Sequence, residues 1–333
     1  MFQIKISDVI STIESNDPQF ESYVRGSYSP SVIEPIGLDE RKYEDIRVSV
    51  EFQKSGSKMA KEWIRAAERK NSIVLGSALR TGERSIYYQY GPYCIMVSQE
   101  NGGLEVKSLF QMIKKFRLHK AFHQNRIYEY YQTLMRLAVH YPIFHLLEQK
   151  GWSILHSSLI CFKDKGVLFM GLNGVGKTTA ALSLLPKVKI LSDNFVLFDG
   201  TRLLPFPEYI RIPHQIMNFF NLKPTGFKIF GKDQVLLDND IMKYQPKPAA
   251  MIVLKRGENT TWQEIDRKDA IDYIEAADAF THEGHRYSLF SFLGKQISIK
   301  YPDCNTYEAI LGSFNDSIDM IRKEVGGILG IQY

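Results

Sequence analysis

The residues of this chain that point most directly to chemistry lie between positions 171 and 194. The segment Gly171-Leu-Asn-Gly-Val-Gly-Lys-Thr178 matches the phosphate-binding pattern G-x-x-x-x-G-K-[S/T] at every fixed position. In such a loop the backbone N–H groups surround a polyphosphate, the lysine contacts its β- and γ-phosphates, and the last hydroxyl coordinates Mg²⁺. The residues predicted to bind ATP or GTP are Gly171, Asn173, Gly174, Val175, Gly176, Lys177, Thr178 and Thr179.

The elements on either side have the character needed to hold such a loop. Residues 166–170 are an apolar run typical of a short buried strand, and residues 177–185 favour a helix that ends before Pro186. A glycine turn that merely joins a strand to a helix would leave the Gly-Lys-Thr triplet unexplained. The context therefore supports nucleotide binding.

An aspartate follows this helix at short spacing. Phosphate-loop proteins need a carboxylate near the metal ion, usually at the end of a neighbouring strand. Residues 188–191 are predicted to form a strand, and Asp193 comes directly after it. The spacing predicts that this strand is the sheet neighbour of the strand entering the loop. An ordinary turn aspartate is the alternative interpretation.

At this point the chain resembles the HPr serine kinase family, which shares its nucleotide fold with phosphoenolpyruvate carboxykinases. The resemblance consists of a histidine before the loop strand, His156, then the phosphate loop, and then a strand that ends in Leu191-Ser-Asp-Asn194. It continues in Met251-Ile-Val-Leu-Lys-Arg-Gly-Glu258 and covers about residues 150–300. The family match implies that Asp193 is the general base near the metal, that His156 lies beside it, and that Lys177 completes the catalytic set.

One position departs from the family pattern in a way that affects the metal site. Asn194 stands where the family has a second aspartate, which removes one carboxylate. Metal binding is then either weaker or uses the carbonyl oxygen of Asn194. The expected ligands of Mg²⁺ are Thr178, Asp193 and Asn194. Asn173 replaces a serine of the family and keeps a polar side chain. His156, taken alone, is more typical of a core histidine, and the resemblance to the family makes the two interpretations equal.

Basic and aromatic side chains after the loop offer further candidates. Lys255 and Arg256 end a predicted buried strand, and Arg211 lies between two prolines; each could reach a phosphate or an acidic substrate. The segment 214–240 holds four phenylalanines that could cover a substrate or pack against the N-terminal half. These phenylalanines are Phe219, Phe220, Phe227 and Phe230.

The chain of 333 residues is long enough for two domains. Residues 1–150 carry no recognisable chemistry and are predicted to form an α+β accessory domain. Its strand over residues 46–52 has one buried face, and a linking helix begins near Ile127 and ends at Pro142. Residues 151–333 are predicted to form the nucleotide-binding domain, with a strand over 153–162 and an amphipathic helix from Thr306 onward. The expected fold class is α/β, with a C-terminal P-loop kinase domain of the HPr kinase and carboxykinase type.

The composition excludes several other classes. A net charge of +5 is mild and does not indicate nucleic-acid binding. Three cysteines without a C-x-x-C pair indicate neither a disulfide framework nor a zinc site. The N-terminus is charged and lacks the apolar core of a signal peptide, and no apolar run approaches the ~20 residues of a membrane helix. We therefore expect a cytoplasmic protein without a membrane partner.

The predicted activity is ATP-dependent transfer of the γ-phosphoryl group to a hydroxyl, with serine of a peptide or protein as the preferred acceptor. A small-molecule hydroxyl such as free serine is the alternative substrate. A nucleotide-dependent binding or regulatory module is the alternative class, and Asn194 keeps it open. The family is often oligomeric, so the resemblance also leaves room for a homo-oligomer.

Overall fold

The computed structural model describes residues 1–33, 44–54, 73–75, 78–80, 85–90, 93–100, 103–112, 124–236, 238, 240–279 and 298–333. The protein is of mixed α/β type with several sheets. The chain divides into two compact units. Among the described residues, the first contains Met1–Lys150 together with Phe227–Phe230, and the second contains Gly151–Gly226, residues 231–279 and Ser298–Tyr333.

The first unit is built on a nine-stranded sheet. Its strands are β1 Phe2–Ile6, β2 Val9–Ser15, β3 Val32–Ile33, β4 Ile46–Lys54, β5 Ile73–Leu75, β6 Ala78–Arg80, β7 Ser85–Tyr90, β8 Tyr93–Glu100 and β9 Gly103–Met112. Their order in the sheet is β3-β1-β2-β4-β9-β8-β7-β6-β5. Strand β4 is parallel to β2 and β9, whereas the other neighbouring pairs are antiparallel. Ile46, Val48 and Val50 are buried, so the prediction of a strand with one buried face is confirmed.

The described part of the first unit also contains three α-helices: α1 Pro18–Ser27, α2 Gln124–Met135 and α3 Tyr141–Gln149. The Asp17 carboxylate caps α1 by accepting the N–H groups of Gln19 at 2.9 Å and Phe20 at 3.1 Å. The hydroxyl of Tyr131 on α2 donates to the same carboxylate at 3.1 Å. One aspartate therefore links two helices.

The predicted end of the linking helix at Pro142 is wrong. A π-helical segment, Arg136–His140, follows α2, and helical structure continues into α3. Pro142 lies in the first turn of α3. The proline follows a π-helical turn, a local irregularity of the helical hydrogen-bond pattern that commonly accompanies a proline within a continuous helix.

The second unit contains a six-stranded sheet and smaller sheets around it. The strands in chain order are β10 Ser153–Leu155, β11 Ser157–Phe162, β12 Lys165–Met170, β13 Lys189–Ser192, β14 Val196–Phe198, β15 Leu203–Pro205, β16 Ile210–Ile212, β18 Lys232–Val235, β19 Lys247–Arg256, β20 Thr261–Glu264 and β21 Asn305–Leu311, while β17 Lys228–Ile229 belongs to the first unit. The helices are α4 Lys177–Ser183, α5 His214–Phe219, α6 Arg267–Ala279 and α7 Phe314–Leu329. The large sheet has the order β13-β11-β12-β19-β21-β20, in which β12, β19 and β21 are parallel to one another.

The strand that carries Asp193 is not the sheet neighbour of the loop strand, contrary to the prediction. Strand β11 lies between β13 and β12 and is antiparallel to both. The reason is the short connection between Phe162 and Lys165, which folds β11 back onto β12 as a hairpin and so occupies that edge. The pairing of β11 with β13 contains a β-bulge: Leu159 faces Ser192 but Ile160 faces Ile190, which makes Leu191 an extra residue.

Two further boundaries differ from expectation. The predicted strand over 153–162 is interrupted at His156, which separates β10 from β11. Residues 305–311 form strand β21 rather than the start of the terminal helix, which begins at Phe314. The few apolar residues of this short segment fit the period of a strand as well as that of a helix, and parallel pairing with β19 selects the strand.

Strands β12 and β19 form the centre of the second unit. Residues 167–170 and 250–254 are fully buried, as is typical of parallel strands covered on both faces. The loop after β12 therefore starts from a closely packed platform. Within the described ranges, no helix combines the length and the apolar character needed to cross a membrane.

Candidate functional site

The predicted phosphate loop forms the turn between β12 and α4. Gly171, Gly174 and Gly176 all have positive φ, at +133°, +79° and +122°. A Cβ on Gly171 would lie only 2.6 Å from the carbonyl oxygen of Leu254 on β19, so the loop starts in close contact with the neighbouring strand. The backbone N–H of Val175 donates to the Leu172 oxygen at 3.2 Å. Backbone conformation therefore sets the shape of the loop.

Lys177 opens α4 and directs its ammonium group into the loop. Its Nζ donates to the carbonyl oxygens of Gly171 at 2.7 Å and Leu172 at 3.3 Å, and only 7% of the residue is exposed. A buried ammonium is costly unless it is hydrogen-bonded, and the loop carbonyls supply these bonds. Asn173 and Gly174 are exposed at the tip.

The two basic residues at the end of β19 have different surroundings. The Nη2 atom of Arg256 lies 3.5 Å from the position that a Cβ on Gly176 would take, so its guanidinium is beside the loop. Lys255 instead forms an ion pair with Glu308 and lies 4.6 Å from the ring centroid of Tyr273. Arg256 is therefore the residue of this pair that adds positive charge to the loop.

Asp193 meets the loop through Thr178. The Thr178 side chain lies close enough to the Asp193 carboxylate to lower its pKa. Ser158 on β11 donates its hydroxyl to Asp193 Oδ1 at 2.9 Å and also contacts the Asp193 backbone oxygen at 3.2 Å. The predicted metal-binding hydroxyl and the predicted base are therefore adjacent, although β13 and β12 are not sheet neighbours.

The surroundings of Asp193 change its proton affinity. Burial raises the pKa of the Asp193 carboxyl above its ordinary value, and the nearby charge of Glu208 acts in the same direction. Hydrogen bonds from Thr178 and Ser158 and the charge of Arg211 oppose this rise. Burial dominates, so this carboxylate accepts a proton more readily than an exposed aspartate, as a general base requires.

Glu208 joins this cluster and was not identified from the sequence. It is only 5% exposed, and its Oε2 accepts a hydrogen bond from Asn194 Nδ2 at 3.0 Å. Its Oε1 lies 3.9 Å from Arg211 Nη2. Position 194 lacks a carboxylate, but Glu208 provides one in direct contact with it. The sequence signal for Glu208 is the segment Pro207-Glu-Tyr-Ile-Arg-Ile-Pro213, in which it lies three residues before the candidate Arg211.

Two predicted site residues receive less support from their described contacts. His156 is buried between β10 and β11, with its ring centroid 6.2 Å from that of Phe195. This packing is what a core histidine shows, and the catalytic role of His156 stays a prediction. Thr179 is partly buried on α4, and its contact with the nucleotide also stays a prediction.

The side chains around Asp193 fit Mg²⁺ by the chemistry of their donors. Thr178, Asp193, Asn194 and Glu208 all offer oxygen atoms, which Mg²⁺ prefers. Within the described part of the chain, no group of three or more His, Cys, Asp and Glu side chains is arranged to hold a metal. Mg²⁺ in nucleotide sites is usually bound by one or two carboxylates together with substrate phosphates, so such a site does not require a group of three.

Comparison with known proteins does not assign a function to the chain, so a functional proposal depends on the geometry of the site. A scan against models of protein families gives no match, and no curated protein is significantly similar to the chain.

Proposed function

We propose that this protein is an ATP-dependent kinase that resembles HPr serine kinase and transfers the γ-phosphoryl group to a hydroxyl, preferably serine of a peptide or protein in the cytoplasm. The observation that carries the proposal is that the Thr178 side chain lies beside the Asp193 carboxylate, close enough to lower its pKa. It brings the predicted phosphate-binding loop together with a partly buried carboxylate of raised proton affinity. These are the two parts that phosphoryl transfer to a hydroxyl requires.

The loop residues would bind and orient the nucleotide. The N–H groups of residues 171–178 and the guanidinium of Arg256 offer donors to phosphate oxygens, as does Lys177. The Lys177 ammonium already has two carbonyl acceptors, Gly171 and Leu172. The β- and γ-phosphate oxygens would replace these acceptors when ATP binds. The same residues would then neutralise charge as the γ-phosphoryl group moves.

Asp193 would act on the acceptor hydroxyl. In the transfer step the acceptor oxygen forms a bond to the γ-phosphorus, while the bond from this phosphorus to the β–γ bridging oxygen breaks. The hydroxyl proton passes to the Asp193 carboxylate, and ADP is the leaving group. A positioned base of this kind contributes about 10²–10⁴-fold to the rate.

Mg²⁺, when bound, neutralises the charge of the β- and γ-phosphates. Thr178 and Asp193 would hold it, with Glu208 and Asn194 beside them. Asn194 lacks the carboxylate that the family has at this position, and Glu208, which Asn194 contacts, provides a second carboxylate in the cluster.

A module that only binds nucleotide is less well supported by this arrangement. Burying a carboxyl group costs free energy, and strongly perturbed carboxyls concentrate at catalytic sites. Asp193 is a carboxyl whose pKa is raised by burial, and it lies beside Thr178 of the loop. A small-molecule hydroxyl remains the second candidate acceptor, because the roles proposed for the site residues do not distinguish it from a hydroxyl of a peptide.

The experiment that tests the proposal is phosphoryl transfer from γ-labelled ATP. The purified protein is incubated with Mg²⁺ and, in separate reactions, with a serine-containing peptide library, free serine, and an extract of its own cells. We expect labelled phosphoserine in a peptide or protein. Tight binding of Mg-ATP without transfer to any of these acceptors would show a binding module instead.

A further inference from the structure

Two exposed phenylalanine rings lie against each other on the second unit. Phe219 at the end of α5 is 56% exposed, and Phe314 at the start of α7 is 38% exposed. Their ring centroids are 5.0 Å apart with an interplanar angle of 88°. The neighbours of Phe219 behave differently, since Met217 is buried and Phe220 is partly buried against the core. Helix α5 therefore has enough apolar side chains for packing without Phe219.

The pair lies close to the phosphate loop. Leu311, the last residue of β21, has its Cδ1 3.2 Å from the position of a Cβ on Gly176. Phe314 comes three residues later, and three residues span at most ~11 Å of chain. A nucleotide bound by its phosphates at the loop places its base at a comparable distance, beyond the ribose. The rings are thus within reach of the base.

The size of the exposed surface favours a small flat ligand. One aromatic side chain offers at most ~250 Å², so these two partly exposed rings present much less than the ~800 Å² per partner of a stable protein interface. A nucleobase is a flat ring system of matching dimensions. Phenylalanine rings bind such bases by stacking, without regard to hydrogen-bonding pattern.

We propose that Phe219 and Phe314 form an aromatic platform for the nucleobase of ATP, which stacks on the face of one ring while the perpendicular ring borders it. The platform rests on the proposed function, since it needs the phosphates of the same nucleotide in the loop of residues 171–178. It assigns a base-binding role that the phosphate-loop pattern does not contain. Two rings without donors or acceptors bind the base through its π face and its apolar area.

The test separates the base from the phosphates. Affinities for Mg-ATP and for inorganic tripolyphosphate with Mg²⁺ are measured by calorimetry on the full chain and on the double variant Phe219→Ala/Phe314→Ala. We expect the double variant to lose about 5- to 150-fold in ATP affinity and to bind tripolyphosphate as the wild type does. Leu236→Ala, which removes another exposed apolar side chain, is the matched control. The double variant Phe219→Tyr/Phe314→Tyr keeps both rings and should recover most of the affinity.

Several outcomes would overturn the platform. One is equal affinity of the wild-type protein for ATP and tripolyphosphate, which would leave the phosphate site intact. Another is an unchanged ATP affinity in the double alanine variant. If the oligomeric state of that variant changes while its ATP affinity does not, the two rings form a contact between copies of the chain instead. A wild-type protein that binds neither ligand would overturn the proposed function and the platform with it.

Discussion

The two units differ in the kind of polar side chain that they bury. Among the described residues, the first unit buries serine, threonine, glutamine and histidine, whereas every buried lysine, aspartate and glutamate lies in the second. The buried charged residues are Lys177, Glu208, Asp233 and Glu308. Burying a charge costs far more than burying a hydroxyl or an amide. Burial of charged side chains therefore costs the second unit free energy that the described part of the first unit does not lose.

Two of these four charges have structural explanations. Asp233 is paired with His214 at 2.8 Å, and Glu308 is paired with Lys255. Lys177 and Glu208 belong instead to the loop and to the Asp193 cluster, where they contact backbone carbonyls and an amide. The buried charges whose contacts lie in the loop and in the Asp193 cluster thus mark the candidate site, and variants can test this difference.

The largest expected effect follows from Asp193→Asn. The amide cannot accept the proton of the acceptor, so kcat for phosphoryl transfer should fall about 10²–10⁴-fold. The measurement is the rate of transfer from labelled ATP to the acceptor identified for the wild type. Asp164→Asn, in the exposed turn between β11 and β12, is the matched control and should leave the rate unchanged. An Asp193→Asn variant with wild-type kcat would remove Asp193 from the mechanism.

Lys177→Ala should weaken ATP binding about 10- to 100-fold, because hydrogen bonds to charged groups contribute about 1.5–3 kcal/mol. The dissociation constant is measured by calorimetry in the presence of Mg²⁺. Lys268→Ala on the exposed face of α6 provides the comparison. If Mg-ATP raises the melting temperature of Lys177→Ala as much as that of the wild type, the loop is not the phosphate site.

Glu208→Gln should raise the Mg²⁺ concentration needed for half-maximal activity about tenfold. The glutamine still has an oxygen that can accept from Asn194, but it lacks the charge that attracts the metal. Activity is measured across a Mg²⁺ titration at saturating ATP. Glu264→Gln, an exposed position on β20, should keep the wild-type midpoint. A shared midpoint for all three proteins would place Glu208 outside the metal site.

A smaller effect concerns pH. Transfer requires the Asp193 carboxylate, so kcat should fall as the pH falls through the raised pKa of this group. Ser158→Ala removes a hydrogen bond that lowers this pKa, and the fall should therefore move to higher pH. The pH profile of kcat is compared with that of Ser157→Ala, whose side chain lies on the opposite face of β11. A profile that Ser158→Ala leaves in place would show that Asp193 does not limit the rate at low pH.

The smallest effect concerns the first unit. Asp17→Ala removes the cap of α1 and the acceptor of Tyr131, so the free energy of unfolding should fall by about 1–2 kcal/mol. The ATP dissociation constant should not change. Asp17→Asn keeps a capping oxygen and should retain most of the stability in chemical denaturation. A changed nucleotide affinity in Asp17→Ala would contradict the functional difference between the units.

The sequence predicts the loop well because its parts are consecutive. The glycines, Lys177 and Thr178 occupy fixed positions in one turn, so spacing alone gives their geometry. Asp193 also follows from spacing, although the expected strand order was wrong because a hairpin connects β11 to β12. Strand β21 was predicted as part of the terminal helix, because its apolar residues fit the period of a strand as well as that of a helix.

Glu208 and Ser158 were missed for a different reason. Sheet pairing brings Ser158 to the cluster, and the path of a loop brings Glu208 there. Neither residue has a fixed sequence spacing from the loop of residues 171–178. Only the folded chain shows that Asn194 is next to a carboxylate. The sequence therefore predicts the loop of residues 171–178 better than the cluster of side chains around Asp193.

The β-bulge at Leu191 has a consequence for how this protein can vary. Successive side chains of a strand point to opposite faces, so the extra residue decides which way the chain beyond it is turned. The direction of the Asp193 carboxylate thus depends on the number of residues in β13 more than on their identity. Apolar exchanges at Leu191 should preserve it, whereas loss or gain of one residue there would turn the carboxylate away from Thr178.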